Sequence, residues 1–193
     1  MTLLRIEQLF DDARTHNGFL PTPVPEATLR ELYDHMRWAP TASNTNPLRI
    51  CFVTSSEAKA RLLPCMDPGN VEKTRSAPVT AILGMDLAFH DKLPFLFPHV
   101  ADARGWFAGK PEKIRTAALR NASLQGGYFI LAARALGLDC GPMGGFDTAR
   151  VDAEFWAGTE VTTNFICNLG HGDTARLRPR GPRLGFEEAC RIC

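Results

Sequence analysis

The chain has 193 residues, 45% of them hydrophobic and 22% charged, with 22 basic against 21 acidic side chains and a net charge of +1. That length suits one well-buried core and is short for two full domains, so residues 1–193 are read as a single domain. The balanced charge speaks against a nucleic-acid or membrane-surface protein, and no apolar run approaches the roughly 20 residues that span a bilayer.

The first residues reach an acid at Glu7 without a signal-peptide core, which points to the cytoplasm. Apolar positions 3, 4, 6, 9, 10 and 13 predict a helix over residues 4–14, stopped by Asn17-Gly18. A stiff Pro21-Thr22-Pro23-Val24-Pro25 spacer leads to a second helix over 26–38. There follows a loop, Ala39-Pro40-Thr41-Ala42-Ser43-Asn44-Thr45-Asn46-Pro47, dense in hydrogen-bonding side chains and stiffened at both ends. Residues 50–53 read as a buried strand, and Ser56 as the cap of a helix through Leu63. A short helix over 69–75 and a buried strand over 78–84 come next. Residues 86–110 mix aromatics with prolines and glycines, which suits a surface excursion or lid more than core.

The longest helix is predicted over 111–136, Ala-rich, with Gly126-Gly127 in its middle. Small residues allow a sheet or helix to approach closely, so it is expected to be central and buried. Residues 137–146 are glycine-rich. They can be a plain turn or a place where backbone approaches a ligand. A short helix over 148–156, a third strand over 162–170, an arginine-rich tail (Arg176, Arg178, Arg180, Arg183) and a final helix near 186–190 complete the chain. The fold class is α+β, a small sheet flanked by helices.

The six cysteines are scattered and read as buried hydrophobes in a reducing compartment. Cys190 and Cys193 form an isolated C-x-x-C that is weak evidence for redox or zinc chemistry. His90, Asp91, His99 and Asp102 match no metal-ligand spacing, and no metal is expected. No Walker or Rossmann glycine loop is present, so a nicotinamide would dock transiently rather than occupy its own domain.

Four segments together resemble the nitroreductase superfamily. They are residues 12–18 (Asp-Ala-Arg-Thr-His-Asn-Gly), the loop from Trp38 to Pro47, residues 134–147 around Cys140-Gly141-Pro142-Met143-Gly144-Gly145, and residues 182–190. Within it, the nearer likeness is to the malonic semialdehyde reductases of pyrimidine utilisation. Arg14-Thr15-His16 stands where many relatives carry an Arg-Arg-Ser triplet, and Asn46 stands in place of the usual Gln.

The resemblance implies a mixed, mostly antiparallel sheet with a long buried central helix, FMN as cofactor, and NADH or NADPH as co-substrate. It also implies a homodimer with the flavin at the interface. Arg14, Thr15, His16 and Asn17, with Arg180 and Arg183, would bind the phosphate, because guanidinium offers paired charge-assisted bonds. Thr41, Ser43, Asn44 and Asn46 would serve the ring edge or ribityl hydroxyls. Pro142, Met143, Gly144 and Gly145 would lie near the reactive ring atoms, with Pro142 supplying no N–H. The hydride chemistry is the flavin's, so no protein nucleophile is expected. Arg104 is the candidate for a substrate carboxylate. Three alternatives stand beside semialdehyde reduction: a broad nitroaromatic or quinone reductase, a flavin-binding protein without turnover, and a structural domain without flavin.

Overall fold

The structure, a computed structural model, describes residues 5–193. Its helices are α1 (Ile6–Leu9), α2 (Glu26–Met36), α3 (Ser56–Leu62), α4 (Pro68–Ser76), α5 (Leu93–Leu96), α6 (Pro111–Ala135), α7 (Thr148–Phe155) and α8 (Phe186–Ala189). The strands are β1 (Leu48–Val53), β2 (Val79–Asp86), β3 (Asp139–Met143) and β4 (Val161–Gly170). They form one sheet in the order β1-β2-β4-β3, with every pair antiparallel.

All eight residues of β2 are buried, as expected of a strand paired on both sides and covered on both faces. Its alternating side chains feed two cores. Val79, Ala81 and Leu83 meet α2 and α6 on one face, with Phe129, Ala118, Ala122 and Ala133 fully buried. Ile82 faces the other way, with Leu62, Met66, Met143, Val151 and Ile166. Gly126 sets how closely α6 approaches: a Cβ there would stand 2.4 Å from the Phe165 ring, whereas Gly127 faces open space. No described helix is long and apolar enough to cross a membrane.

Four local expectations need correction. The first helix was expected to run to Arg14, but α1 ends at Leu9 and the chain turns at Phe10; the expected start at Leu4 lies outside the described residues. Beyond the turn, Thr15 pairs in parallel with Cys140 along the open edge of β3, which needs extended backbone. Ser55, not Ser56, caps α3, its hydroxyl accepting from the Ala58 amide at 3.1 Å. Part of the glycine-rich stretch is strand β3, because an edge strand tolerates Pro142. Gly141 is required there, since a Cβ would come within 2.7 Å of the His16 carbonyl. Finally, residues 86–110 are not merely surface. Phe89, Leu93, Ala103 and Phe107 enter the main core, while Phe95 is 84% exposed.

Candidate cofactor site

The pairing of Thr15 with Cys140, reinforced by the His16 amide donating to the Cys140 carbonyl at 3.0 Å, places the residues on either side of it. Arg14, Thr15 and Asn17 line a cavity of about 480 Å³. His16 turns inward: its ring is 4% exposed, Nε2 lies 3.3 Å from the Asp139 carboxylate, and a Cβ on Gly172 would overlap it. His16 therefore does not line the cavity.

The tail closes over this segment. Arg14 donates to the Arg178 carbonyl, and Arg180 donates to the carbonyls of Asp11 at 2.5 Å and Ala13 at 3.1 Å. Arg178, Arg180, Arg183 and Arg134 share the cavity wall with Arg14. Among the described residues none of these five arginines pairs with a carboxylate, although eight arginine–carboxylate ion pairs are formed elsewhere. Lys73, half-buried on α4, belongs to the same corner: burial first, and Arg178 second, push its pKa down. Cations gathered without counter-charge repel one another, and an anion relieves that repulsion. The residues present therefore fit a phosphate.

Beyond β3 the chain meets the N-terminal turn of α4. The Gly145 carbonyl accepts from the Asp67 amide at 3.1 Å and from Asn70 Nδ2 at 2.7 Å, and a Cβ on Gly145 would stand 2.5 Å from that nitrogen. Met143 points into the second core, with the Thr74 hydroxyl 3.7 Å from its sulfur. Pro142 sits within the strand opposite Cys167. Gly144 is exposed, with nothing within 4 Å of where its Cβ would be, so its backbone is open to approach.

The loop before β1 is strained. Ser43, Asn44 and Asn46 have φ of 50°, 50° and 40°, a conformation that residues with a Cβ rarely adopt. Three side chains at i, i+4 and i+7 of α6 hold it. Tyr128 donates to the Pro40 carbonyl at 3.2 Å, Asn121 Oδ1 accepts from the Ala42 amide at 2.8 Å, and Gln125 Oε1 accepts from the Leu48 amide at 3.0 Å. Within the loop, the Thr41 hydroxyl accepts from the Asn46 amide at 3.2 Å. Asn46 Nδ2 donates to the carbonyl and side-chain oxygens of Asn44 at 2.9 and 2.6 Å, and Asn44 Nδ2 donates to the Leu96 carbonyl at 2.8 Å. Ser43 lines a separate hollow with Thr116 and Arg120.

One chain does not bring the two groups together. Leu48, after the loop, pairs with Met85 at one end of β2; Val79 at the other end aligns through Leu169 with Cys140 and so with Thr15. Six residues along β2 and four strand spacings across place the loop and the arginine cluster roughly 25–30 Å apart, at opposite corners of the sheet. Arg104 lines the cavity at neither group: it is bound to Asp91 at 2.6 Å, and its guanidinium holds that carboxyl below the usual range.

Sequence reasoning missed Arg134, Arg178, Lys73, Asn121, Gln125 and Tyr128. Asn121 and Gln125 carried a signal, two amides four apart on the face of an Ala-rich helix that should be buried. Lys73 carried none.

The fold matches that of a provisionally named nitroreductase from Bacillus subtilis, with a TM-score of 0.88 at 22% identity over 96% of this chain and 97% of that one. It also matches a provisionally named nitroreductase from Exiguobacterium sibiricum solved in complex with FMN. There the TM-score is 0.86 at 17% identity, covering 100% of this chain and 99% of that one. The family model described as "Nitroreductase family" matches residues 12–171, and the chain belongs to that family. A Stenotrophomonas maltophilia protein that carries the provisional name NADH dehydrogenase/NAD(P)H nitroreductase is 61% identical over 187 residues, covering 97% of this chain and 95% of its own length.

Proposed function

We propose that this chain, residues 1–193 acting as one FMN-binding unit, is an FMN-dependent NAD(P)H oxidoreductase of the cytoplasm. The observation that carries the reading is the cluster of five arginines without a carboxylate partner, with Lys73 beside it. Arg14, Arg180, Arg183 and Lys73 would hold the phosphate, with Thr15 and Asn17 beside it, and the exposed backbone at Gly144 would let the ring approach. Bound there, FMN would supply the hydride chemistry between NADH or NADPH and a small acceptor. The protein's part is to neutralise the phosphate, orient the ring and leave one face open to both substrates in turn. All six cysteines are unpaired, as suits a reducing compartment.

The working form we propose is a homodimer with the cofactor between subunits. Within one chain the arginine cluster and the amide loop are too far apart to touch one flavin, so a second copy would supply the loop. For the acceptor we propose malonic semialdehyde, reduced to 3-hydroxypropionate, on the strength of the four matching segments. Arg104 would then exchange Asp91 for the substrate's carboxylate. A nitroaromatic or quinone acceptor is the second reading, favoured by the name that the Stenotrophomonas relative carries.

The test is the visible spectrum before and after anaerobic NAD(P)H, followed by kcat/KM for each acceptor. A yellow protein that bleaches supports the reductase. Yellow colour that NAD(P)H does not bleach points instead to flavin binding without turnover. A larger kcat/KM for nitroaromatics than for the semialdehyde overturns the aldehyde assignment.

A further inference from the structure

The strained loop is held by a chain of amides whose hydrogen bonds can be assigned one by one. The Leu48 amide can only donate, so Gln125 must turn its oxygen towards it at 3.0 Å, which aims Gln125 Nε2 at Asn46 Oδ1 at 3.1 Å. That fixes Asn46 in turn: its oxygen accepts from Gln125 and its nitrogen donates to Asn44. Both donors of Asn46 are then engaged within the loop, so it is not available to offer a donor to a ligand. Asn44 differs. It gives one N–H to Leu96 and one lone pair to Asn46, and an amide has two of each, so one donor and one acceptor remain on an exposed side chain. A donor beside an acceptor is what the alternating edge of a flavin ring requires.

Gln125 is 6% exposed, and the bonds that orient its amide run to the loop. A Leu at that position would fill the same space and satisfy a buried helix face better. We propose that Gln125, acting through Asn46, is a positioning residue that sets the left-handed conformation of Asn44 and so aims its remaining donor and acceptor at the cofactor. This rests on the reading that the loop meets the flavin ring. It assigns Asn46 to holding the loop rather than to touching the ligand.

The test is a double-mutant cycle on FMN affinity, read by quenching of flavin fluorescence, with Gln125→Leu, Asn44→Ala and both together. Gln125→Leu removes two hydrogen bonds and is expected to raise the FMN Kd about tenfold. Asn44→Ala is expected to raise it by a similar factor, and the double variant by no more than the worse single one, because Gln125 acts only through Asn44. Gln125→Glu keeps the acceptor for Leu48 but sets an oxygen against Asn46 Oδ1. It is expected to weaken FMN while holding the fold, and it carries the test if Gln125→Leu does not fold.

An unchanged Kd in both Gln125 variants, beside a weakened Asn44→Ala, overturns the positioning role and leaves the loop reading intact. A loss from Gln125→Leu that is as large in the Asn44→Ala background as in the wild type also overturns it. An unchanged Kd in Asn44→Ala itself refutes the loop reading, and the inference falls with it.

Discussion

Lys73 offers the sharpest test of where the phosphate sits. Its ammonium makes no hydrogen bond or ion pair among the described residues, and burial and Arg178 both push its pKa below 10.5. Arg14 is a less clean probe, because its guanidinium also holds the Arg178 carbonyl. In Lys73→Met the stem is kept and the charge removed. If the ammonium meets the phosphate, the loss is one charge-assisted hydrogen bond, about 1.5–3 kcal/mol, or roughly a 10- to 150-fold rise in the FMN Kd. Riboflavin has the same ring and no phosphate, so its affinity should be unchanged. The assay is a pair of fluorescence titrations, FMN and riboflavin, on wild type and variant. Without cofactor the sign reverses. A lysine whose folded pKa lies below its unfolded value opposes folding while it stays charged, so unloaded Lys73→Met should be no less stable than wild type. Equal loss for FMN and riboflavin, or no loss for either, refutes the placement of the phosphate.

Two predictions concern the scaffold. Lys59 Nζ donates to the carbonyls of Thr74 and Ala77 at 3.0 and 2.7 Å and to the Thr80 hydroxyl at 3.0 Å, yet burial lowers its pKa to about 8. Between about 8 and 10.5 the unfolded chain holds the proton and the folded chain does not, so stability should rise with pH across that window. The full gap is worth about 3 kcal/mol at most, and solvent reaching this partly exposed side chain reduces it to about 1–2. Urea unfolding at the two ends of the window should show wild type gaining stability with pH relative to Lys59→Met, the contributions of the buried thiols of Cys51, Cys65 and Cys167 being common to both. Gly126→Ala drives a methyl into the Phe165 ring and should destabilise by about 1–3 kcal/mol. Gly127→Ala meets nothing and should gain up to about 1 kcal/mol from helix propensity. Equal melting temperatures for the two variants would refute the account of how α6 seats on the sheet.

Much of the fold was legible because its elements carry strong local patterns. β2 centres on the apolar stretch Ala81-Ile82-Leu83, α6 is long and rich in small residues, and α2 places Leu29, Leu32 and Met36 on one face. β3 was not legible as a strand: Cys140-Gly141-Pro142 is punctuated like a turn, and only its partners, β4 on one side and Thr15 on the other, make it extended. Residues 86–110 misled for a related reason. Aromatics among prolines look irregular, but Phe89 and Phe107 bury their rings edge to face, with centroids 5.0 Å apart. In the site, the resemblance rather than the arginines themselves pointed to an anion, because an arginine at a helix end or in a charged tail is equally at home in solvent. That His16 faces inward depends on the pairing of its neighbour, and that the loop and the arginines occupy opposite corners depends on strand order. Neither is a local property.

The cationic corner also has a history in time. Arg180 reaches back to Asp11 across 169 residues of sequence, and Thr15 waits for Cys140. At about 5–20 residues per second, a ribosome needs roughly 10–35 s after the N-terminal segment is made before its tail partner exists. If the phosphate binds at this corner as proposed, its capture follows synthesis of nearly the whole chain, and a product cut short before residue 178 lacks Arg178, Arg180 and Arg183 from the cavity wall.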